Sequence, residues 1–475
     1  MTVLAIDQGT SATKAVVVAG DGEVLSLAEA SIRVVAAPDG AVELDPEELW
    51  QSVLAAGREA MAAAGDPTLT AIGLANQGET VMAWDRTTGA PTGPAIVWQD
   101  RRSEVICDRL REHSDSLADL TGLQLDPYFV APKMVWLREL IGEGLTITTT
   151  DTWMLSRLCG AFVTDVATAG RSLLLDLDTA EWSSKACAIF GIDPTTLPTV
   201  VGNTEPLGTC DLFGSSAPVT GTCVDQQAAL FAEHCREAGE AKCTYGTGAF
   251  MLACTGDRPT RSSNGLVGCP AWRIGTQPTY CLDGQVYTVG AAVSWLIDMG
   301  IMSEPADLDH LGNTVDGTGG VTFVPALAGL AAPYWKPQAK AAFTGLTLGA
   351  ERGHLVRAAI EGIAAQVALL AQAAGHDLGA PLTRLRVDGG LTRSRLLLQT
   401  QADLLQAPVE VYPSPHATAL GVAAFADLGA SEVSQGKLDA PGWRPDVVVE
   451  PRIGADEAAA RLAAWQRVAA ATMDL

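Results

Sequence analysis

The sequence predicts an α/β protein of two domains. Three observations carry that reading. The chain has 475 residues, and single hydrophobic cores stop growing at roughly 250–300 residues, so two domains are expected. An apolar run, a Gly/Thr-rich turn and a second apolar run open the chain, and the same unit returns about 240 residues later. A late apolar run, Leu385-Arg386-Val387-Asp388, ends in Gly389-Gly390 ahead of a helical pattern. The boundary falls near residues 232–238, giving domains of residues 1–234 and 235–475.

Val3–Ile6 reads as a short buried strand, Asp7–Lys14 as a polar turn and Ala15–Val18 as the returning strand, with a further turn at Asp21-Gly22. Asp45-Pro46-Glu47-Glu48 signals a helix start, with an N-cap acid, Pro at the first helical position and acids facing the free N–H groups. That helix is expected to run to about Ala64. Ala71–Leu74 reads as a strand leading into the polar loop Asn76–Thr80. Ile96-Val97-Trp98 reads as another strand, followed by a charged helix from Asp100 to about His113, and Asp151–Leu158 as helix. Pro, Gly and weak periodicity from Leu197 to Thr222 predict loop and short strands. The second half opens with a strand at Cys243–Tyr245, a turn at Gly246-Thr247-Gly248 and a strand at Ala249–Ala253. Helices follow at Ala291–Met299, Leu355–Gln372 and Arg393–Leu405, with an Ala-rich helix over about the last 25 residues.

Composition narrows the function. Against 31 Lys and Arg stand 55 Asp and Glu, a formal charge of −24, and a field of that sign repels nucleic acid and anionic lipid. The ten cysteines form no C-x-x-C pair and have no His at zinc spacing. They read as small apolar fillers in a reducing compartment. The apolar start is cut off by Asp7, unlike a signal peptide, and no run nears the roughly 20 apolar residues of a membrane span. The expected location is the cytoplasm, without nucleic-acid or membrane partners.

The two hairpin turns, Asp7-Gln8-Gly9-Thr10-Ser11 and Tyr245-Gly246-Thr247-Gly248, suit a polyphosphate gripped from both sides. Glycine lets backbone N–H groups approach closely, and the hydroxyls donate to phosphate oxygens. Asp7, at a strand end, is placed to hold a hydrated Mg²⁺, and Lys14 adds positive charge. The strand running into Gly389-Gly390 lets a flat ring lie on bare backbone. Each signal alone also describes an ordinary turn. Their order along the chain, however, resembles the actin/hexokinase-type (ribonuclease H-like) ATPase fold.

Longer stretches narrow this further. They include Ala5-Ile6-Asp7-Gln8-Gly9-Thr10, Ala95-Ile96-Val97-Trp98-Gln99-Asp100-Arg101-Arg102, Asp126-Pro127-Tyr128-Phe129 and Ala131-Pro132-Lys133. Thr150-Asp151-Thr152-Trp153, Asp225-Gln226-Gln227, Lys242–Phe250, Ala332-Pro333-Tyr334-Trp335, Gly345-Leu346-Thr347 and Leu385–Gly390 continue the series. On these residues the chain resembles the FGGY family of carbohydrate kinases, its glycerol kinases most closely, from Leu4 to about Gly429. The resemblance implies ATP and Mg²⁺ as cofactors and a terminal hydroxyl of a small polyol or sugar as acceptor. It implies Asp225 as the catalytic base, which accepts the proton of the attacking hydroxyl. Glu79, Tyr128, Asp225 and Gln226 match groups that bind substrate hydroxyls, with Trp98 and Phe250 as the apolar wall. Thr10, Ser11, Ala12, Lys14, Thr247 and Gly248 match the phosphate grip, and Gly290, Ser294, Gly389, Gly390 and Ser394 the nucleoside site. Relatives form dimers or tetramers, so the resemblance also implies a homo-oligomer.

One departure bears on the substrate. Where glycerol kinases of the family read Asn-Gln-Arg-Glu-Thr, this chain reads Asn76-Gln77-Gly78-Glu79-Thr80. The missing Arg donates charged hydrogen bonds worth roughly 1.5–3 kcal/mol each, and Gly78 leaves space of about a guanidinium. The expectation is therefore divided between a glycerol kinase with a rearranged pocket and a kinase of a four- or five-carbon polyol or ketose (erythritol, xylulose or ribulose type). Lys14, Ser294 and Arg393-Ser394-Arg395 depart more mildly. Two readings from other classes stand beside these. A non-catalytic ATP-binding scaffold would need the hairpins without the polyol residues, and a dinucleotide redox enzyme would need a G-x-G-x-x-G after the first strand, which is absent.

Overall fold

The computed structural model describes residues 2–38, 40–142, 144–431 and 444–473. It is a two-domain α/β fold built on two large mixed sheets. The first has the strand order Gly208–Cys210, Ala217–Val224, Ala71–Asn76, Thr2–Gln8, Ala12–Ala19, Val24–Ser31. Thr2–Gln8 pairs antiparallel with Ala12–Ala19 and parallel with Ala71–Asn76, which pairs parallel with Ala217–Val224. The second sheet repeats the scheme. Its order is Val267–Ile274, Gln277–Val286, Ala249–Gly256, Ala241–Tyr245, Leu385–Asp388, Val409–Val411, Val447–Val449. Ala241–Tyr245 again has an antiparallel hairpin partner on one side and a parallel strand on the other. The recurrence anticipated from two Gly/Thr hairpins is thus a recurrence of topology.

The parallel strands of the first sheet are largely apolar and buried on both faces, as packed crossover helices require. Ala71–Asn76 is buried throughout. The helix Pro46–Ala63 begins where its signals place it, with Asp45 accepting from the Glu47 N–H. The long helix Arg352–Leu378 is long and apolar enough to cross a membrane by length and composition, which the sequence reading did not anticipate. It is instead largely buried as the central helix of the second core. The helix Ala417–Ala430 lies late in the chain yet packs on the first sheet and on the helix Asp225–Ala232. Gly421 makes that approach possible, since a Cβ there would sit 1.9 Å from the Ala228 carbonyl oxygen.

Some expectations are corrected. Asp100 does not start a helix. Its carboxylate accepts from the backbone N–H groups of Val42 and Arg102 and pairs with the Arg102 guanidinium, so the chain turns there. Helix begins only at Glu104, runs to Arg109 and resumes at Ser114–Thr121. The strand before it covers Ala95–Ile96 alone, leaving Trp98 outside the sheet. The strands Val267–Ile274 and Gln277–Val286 went unread because Gly268, Pro270, Asp283 and Gln285 interrupt any apolar pattern. A register shift beside Pro270 accommodates the residue that cannot donate.

Candidate active site

Asp225 is the first residue of the helix Asp225–Ala232, at the end of the parallel strand Ala217–Val224. Sheet-strand ends of this kind form the crevices where α/β proteins bind ligands. The Gln226 N–H donates to its carboxylate at 2.7 Å, and the Thr418 hydroxyl of the late helix donates to its carbonyl at 3.4 Å. Surrounding protein pushes its pKa up to about 6, and Asp7 adds to the rise while Lys242 opposes it. Asp7 is itself raised to about 6 by burial, with Lys14 opposing and Glu29 and Asp388 adding. Lys14 stands directly opposite Asp7 in the hairpin register. Both acids remain partly open to solvent, as groups lining a cleft do.

Lys242 is a cation to which the sequence reading gave no role. It is fully buried and donates to the Gln226 amide oxygen at 2.6 Å and the Thr244 hydroxyl at 2.8 Å. Its charge lowers the pKa values of Asp225, Asp388 and Asp283 against their burial. The alternation of the strand Ala241–Tyr245 turns Lys242 and Thr244 to the same face, and Thr244 is the register partner of Asp388. Asp388, expected only as the end of the strand that runs into Gly389-Gly390, thereby joins the acidic centre.

Trp98, Tyr128 and Phe250, expected to form the apolar wall of a substrate pocket, come together. The Trp98 ring centroid lies 5.7 Å from that of Tyr128 and 6.0 Å from that of Phe250, both edge-on. The Trp98 indole N–H donates to the Thr10 hydroxyl at 2.9 Å, tying this wall to the first hairpin. Lys133, wholly buried, holds the Tyr128 and Phe129 carbonyls. Glu79 is buried and sits at φ 55°, a conformation that costs a non-glycine residue of order 1–3 kcal/mol and concentrates at functional sites.

Glu79 has a partner that sequence reasoning missed. Arg171 donates to it through Nε at 2.6 Å and pairs with Asp283 of the second sheet through Nη2 at 2.8 Å. Its Nη1 meets the Cys269 sulfur at 3.5 Å. Burial works against the guanidinium, but Asp283 and Glu79 outweigh it and hold the pKa well above its ordinary value. Burial raises the Glu79 pKa, with Arg171 opposing. The vacancy anticipated at Gly78 is narrower than expected. A Cβ there would meet Val224 Cγ2 at 3.0 Å, immediately before Asp225.

On the other side of the second hairpin a cavity of about 1030 Å³ is lined by the predicted residues Thr247, Gly290, Ser294, Gly390 and Ser394. Gly248 and Gly389 lie outside its lining and shape the backbone instead. A Cβ on Gly248 would meet the Val286 carbonyl at 2.5 Å, and Gly389 has φ 96°. Thr10, Ser11, Ala12 and Lys14 belong to the first hairpin and do not line the cavity. Trp295 and the segment from Pro305 to His310 line it without having been predicted, because apolar and acidic residues there carry no motif. Ser394 caps the helix Arg395–Leu405 and bonds Asp309, which closes the cavity from that side.

Comparison with known proteins identifies the family. Residues 2–232 match the N-terminal domain, and residues 241–430 the C-terminal domain, of the FGGY family of carbohydrate kinases. A glycerol kinase of Thermus brockianus is 41% identical over 486 residues, covering 98% of this chain and 97% of that protein. The crystal structure of Plasmodium falciparum glycerol kinase with ADP superposes with a TM-score of 0.91 at 31% identity, covering 99% of this chain and 98% of that one. A xylulose kinase from Rhodospirillum rubrum shares the fold, with a TM-score of 0.87 at 24% identity over 99% of both chains. With both domain models matched in order and the cleft built as described, the chain belongs to the FGGY family of carbohydrate kinases and is a kinase that transfers phosphate to an alcohol.

Proposed function

We propose that this kinase uses ATP to phosphorylate a terminal hydroxyl of a small polyol, in the manner of a glycerol kinase. The observation that carries the reading is the position of Asp225, with a pKa near 6, among Asp7, Lys242 and Gln226. In this reading the polyol lies against Trp98, Tyr128 and Phe250, with its reacting hydroxyl on Asp225. Glu79 and Gln226 fix the neighbouring hydroxyls. The carboxylate takes the proton as the oxygen attacks the γ-phosphorus, the bond from that phosphorus to the β–γ bridging oxygen breaks, and ADP leaves. Thr10, Ser11, Ala12 and Lys14 of the first hairpin, with Thr247 and Gly248 of the second, align and neutralise the phosphates. The nucleoside occupies the cavity beside Gly290, Ser294, Gly390 and Ser394, with Gly389 setting its backbone. The acidic centre also fits a divalent cation. Asp388 Oδ1 is buried without a hydrogen-bond partner beside Asp7, although no group of three metal-ligating side chains occurs among the described residues. Asp7 would hold a hydrated Mg²⁺ there, and the ion would supply charge neutralisation on the phosphates. The ten cysteines are all free, which supports a reducing, cytoplasmic setting. A homo-oligomer remains part of the proposal by analogy with the family.

The raised acid gives the reading a pH signature. The carboxylate is the active form, so kcat/KM falls about tenfold per pH unit below about pH 6 and is level from 7 to 8. Because Asp7 and Asp225 feel each other, the limb belongs to the pair. A pH–rate profile measures it, and a flat response down to pH 5 would count against Asp225 as base.

A second reading, a four- or five-carbon polyol or ketose, is favoured by Gly78, which offers no donor beside Glu79. A coupled ADP-release assay over glycerol, erythritol, threitol, xylulose and ribulose decides between them. A clear preference for glycerol sinks the second reading, and turnover of none sinks both.

A further inference from the structure

The strand Gln277–Val286 turns Cys281, Asp283 and Gln285 to one face, because successive side chains alternate. This is the cleft face, since Asp283 reaches Arg171 at 2.8 Å. Gln285 is the antiparallel register partner of Phe250, whose ring packs against Trp98. Directly opposed side chains in such a pair stand about 5 Å apart on the same face. Along the row Asp388, Thr244, Phe250, Gln285, the glutamine is one strand farther from the acidic centre than Phe250. It therefore extends the wall formed by Trp98, Tyr128 and Phe250.

Gln285 is 1% exposed, yet neither its amide oxygen nor its amide nitrogen has a hydrogen-bond partner among the described residues. Asp283 Oδ1 beside it is buried and unpartnered in the same way. Burial of a primary amide with both ends unmade costs stability that a methionine of similar length would not. Such groups persist where a ligand completes them. A hydroxyl does so for both, accepting from the amide nitrogen and donating to the carboxylate or amide oxygen.

We infer that Gln285 is a specificity-determining residue that hydrogen-bonds the oxygen on the fourth carbon of the substrate, counted from the carbon that is phosphorylated (a hydroxyl in a polyol, the carbonyl in a 2-ketopentose phosphorylated at the end far from its ketone), with Asp283 Oδ1 as the second partner where that oxygen bears a proton. The inference rests on the kinase reading above and deepens it. Glycerol ends at its third carbon and leaves Gln285 unpaired. A four- or five-carbon chain running from Asp225 past Phe250 satisfies it.

The test compares wild type with Gln285→Met in the full-length kinase, using glycerol, erythritol, threitol, xylulose and ribulose as acceptors. The expected result is a wild-type preference for a four- or five-carbon acceptor. Gln285→Met then raises KM for that acceptor about tenfold or more while KM for glycerol stays within about twofold and kcat is retained. The unfolding midpoint of the variant without substrate rises, because buried polar atoms without partners are removed. A wild-type preference for glycerol overturns the inference while leaving the kinase reading intact, as does a parallel loss on all acceptors. Wild-type turnover of none overturns both. If Gln285→Met does not fold, the inference is overturned in favour of a structural amide, provided Gln285→Glu, which keeps the length and one acceptor, folds and leaves the acceptor preference unchanged. A Glu variant that folds and shifts the preference supports it.

Discussion

Replacing Asp225 with Asn lowers kcat about 10²–10⁴-fold, the usual contribution of a positioned general base, and leaves ATP affinity nearly unchanged. The second half of that expectation follows from position. Asp225 sits at the start of its helix with its charge interacting with Asp7 and Lys242, whereas the cavity proposed to hold the nucleoside is lined by Thr247, Gly290, Ser294, Gly390 and Ser394. Polyol-dependent ADP formation measures the loss, and calorimetry with a nonhydrolysable ATP analogue measures the binding. The variant is also expected to be more stable at neutral pH. The carboxyl's pKa in the folded protein is about 6 against an ordinary 3.8, so the fold favours the protonated form. That advantage is fully present below about pH 4 and is lost as pH rises through 6. Above pH 6 the wild type carries the whole penalty, about 1–3 kcal/mol, and Asn, permanently neutral, escapes it. Chemical denaturation at pH 7.5 and pH 4.5 should show the gain at the first pH and a smaller one at the second. Loss of activity with loss of stability at both would mean that Asp225 supports the fold and not the chemistry.

Replacing Arg171 with Met destabilises the protein by about 3–5 kcal/mol, the cost of breaking a buried ion pair from one side. Glu79 and Asp283, both nearly inaccessible to water, are left facing each other without their common counter-ion. For domains of this size that is a fall in the unfolding midpoint of roughly 10 °C. Calorimetry checks it, and an unchanged midpoint would show that the triad contributes nothing. The same substitution raises KM for the polyol more than it lowers kcat. Arg171 pairs with Glu79, which sits in the left-handed conformation, but makes no contact with Asp225, the proposed base. Its three guanidinium nitrogens are already engaged by Glu79, Asp283 and Cys269, so its role is to position the pocket across the cleft.

The fold was legible in the sequence where local rules suffice. Asp45-Pro46 opens a helix wherever it stands, and the two Gly/Thr turns return apolar strands on themselves. The strands Val267–Ile274 and Gln277–Val286 were illegible because the face opposite Cys269, Asp283 and Gln285 carries Gly268, Pro270 and Gly284, which break the apolar half of an alternating pattern. Asp100 misled because an acid ahead of a charged run is a helix-start pattern, and only the distant Val42 N–H and the nearby Arg102 guanidinium reveal its other use.

The site divides along the same line. The sequence by itself offered the motif-borne groups, namely Asp7 and Lys14 in the first hairpin, Thr247 in the second and the Gly389-Gly390 turn, and the family resemblance added Asp225. Those expectations follow from residue type, immediate neighbours and the motifs shared with the family. Only the tertiary structure decided which charges face one another. It placed Lys242 between Gln226 and Thr244, set Arg171 between Glu79 and Asp283, closed Val224 over Gly78 and turned Gln285 toward Phe250's side of the sheet. Buried charges and amides act through partners far away in sequence, and the energy of each depends on the distance to that partner and on the water excluded between them. Neither quantity exists until the two sheets are packed together.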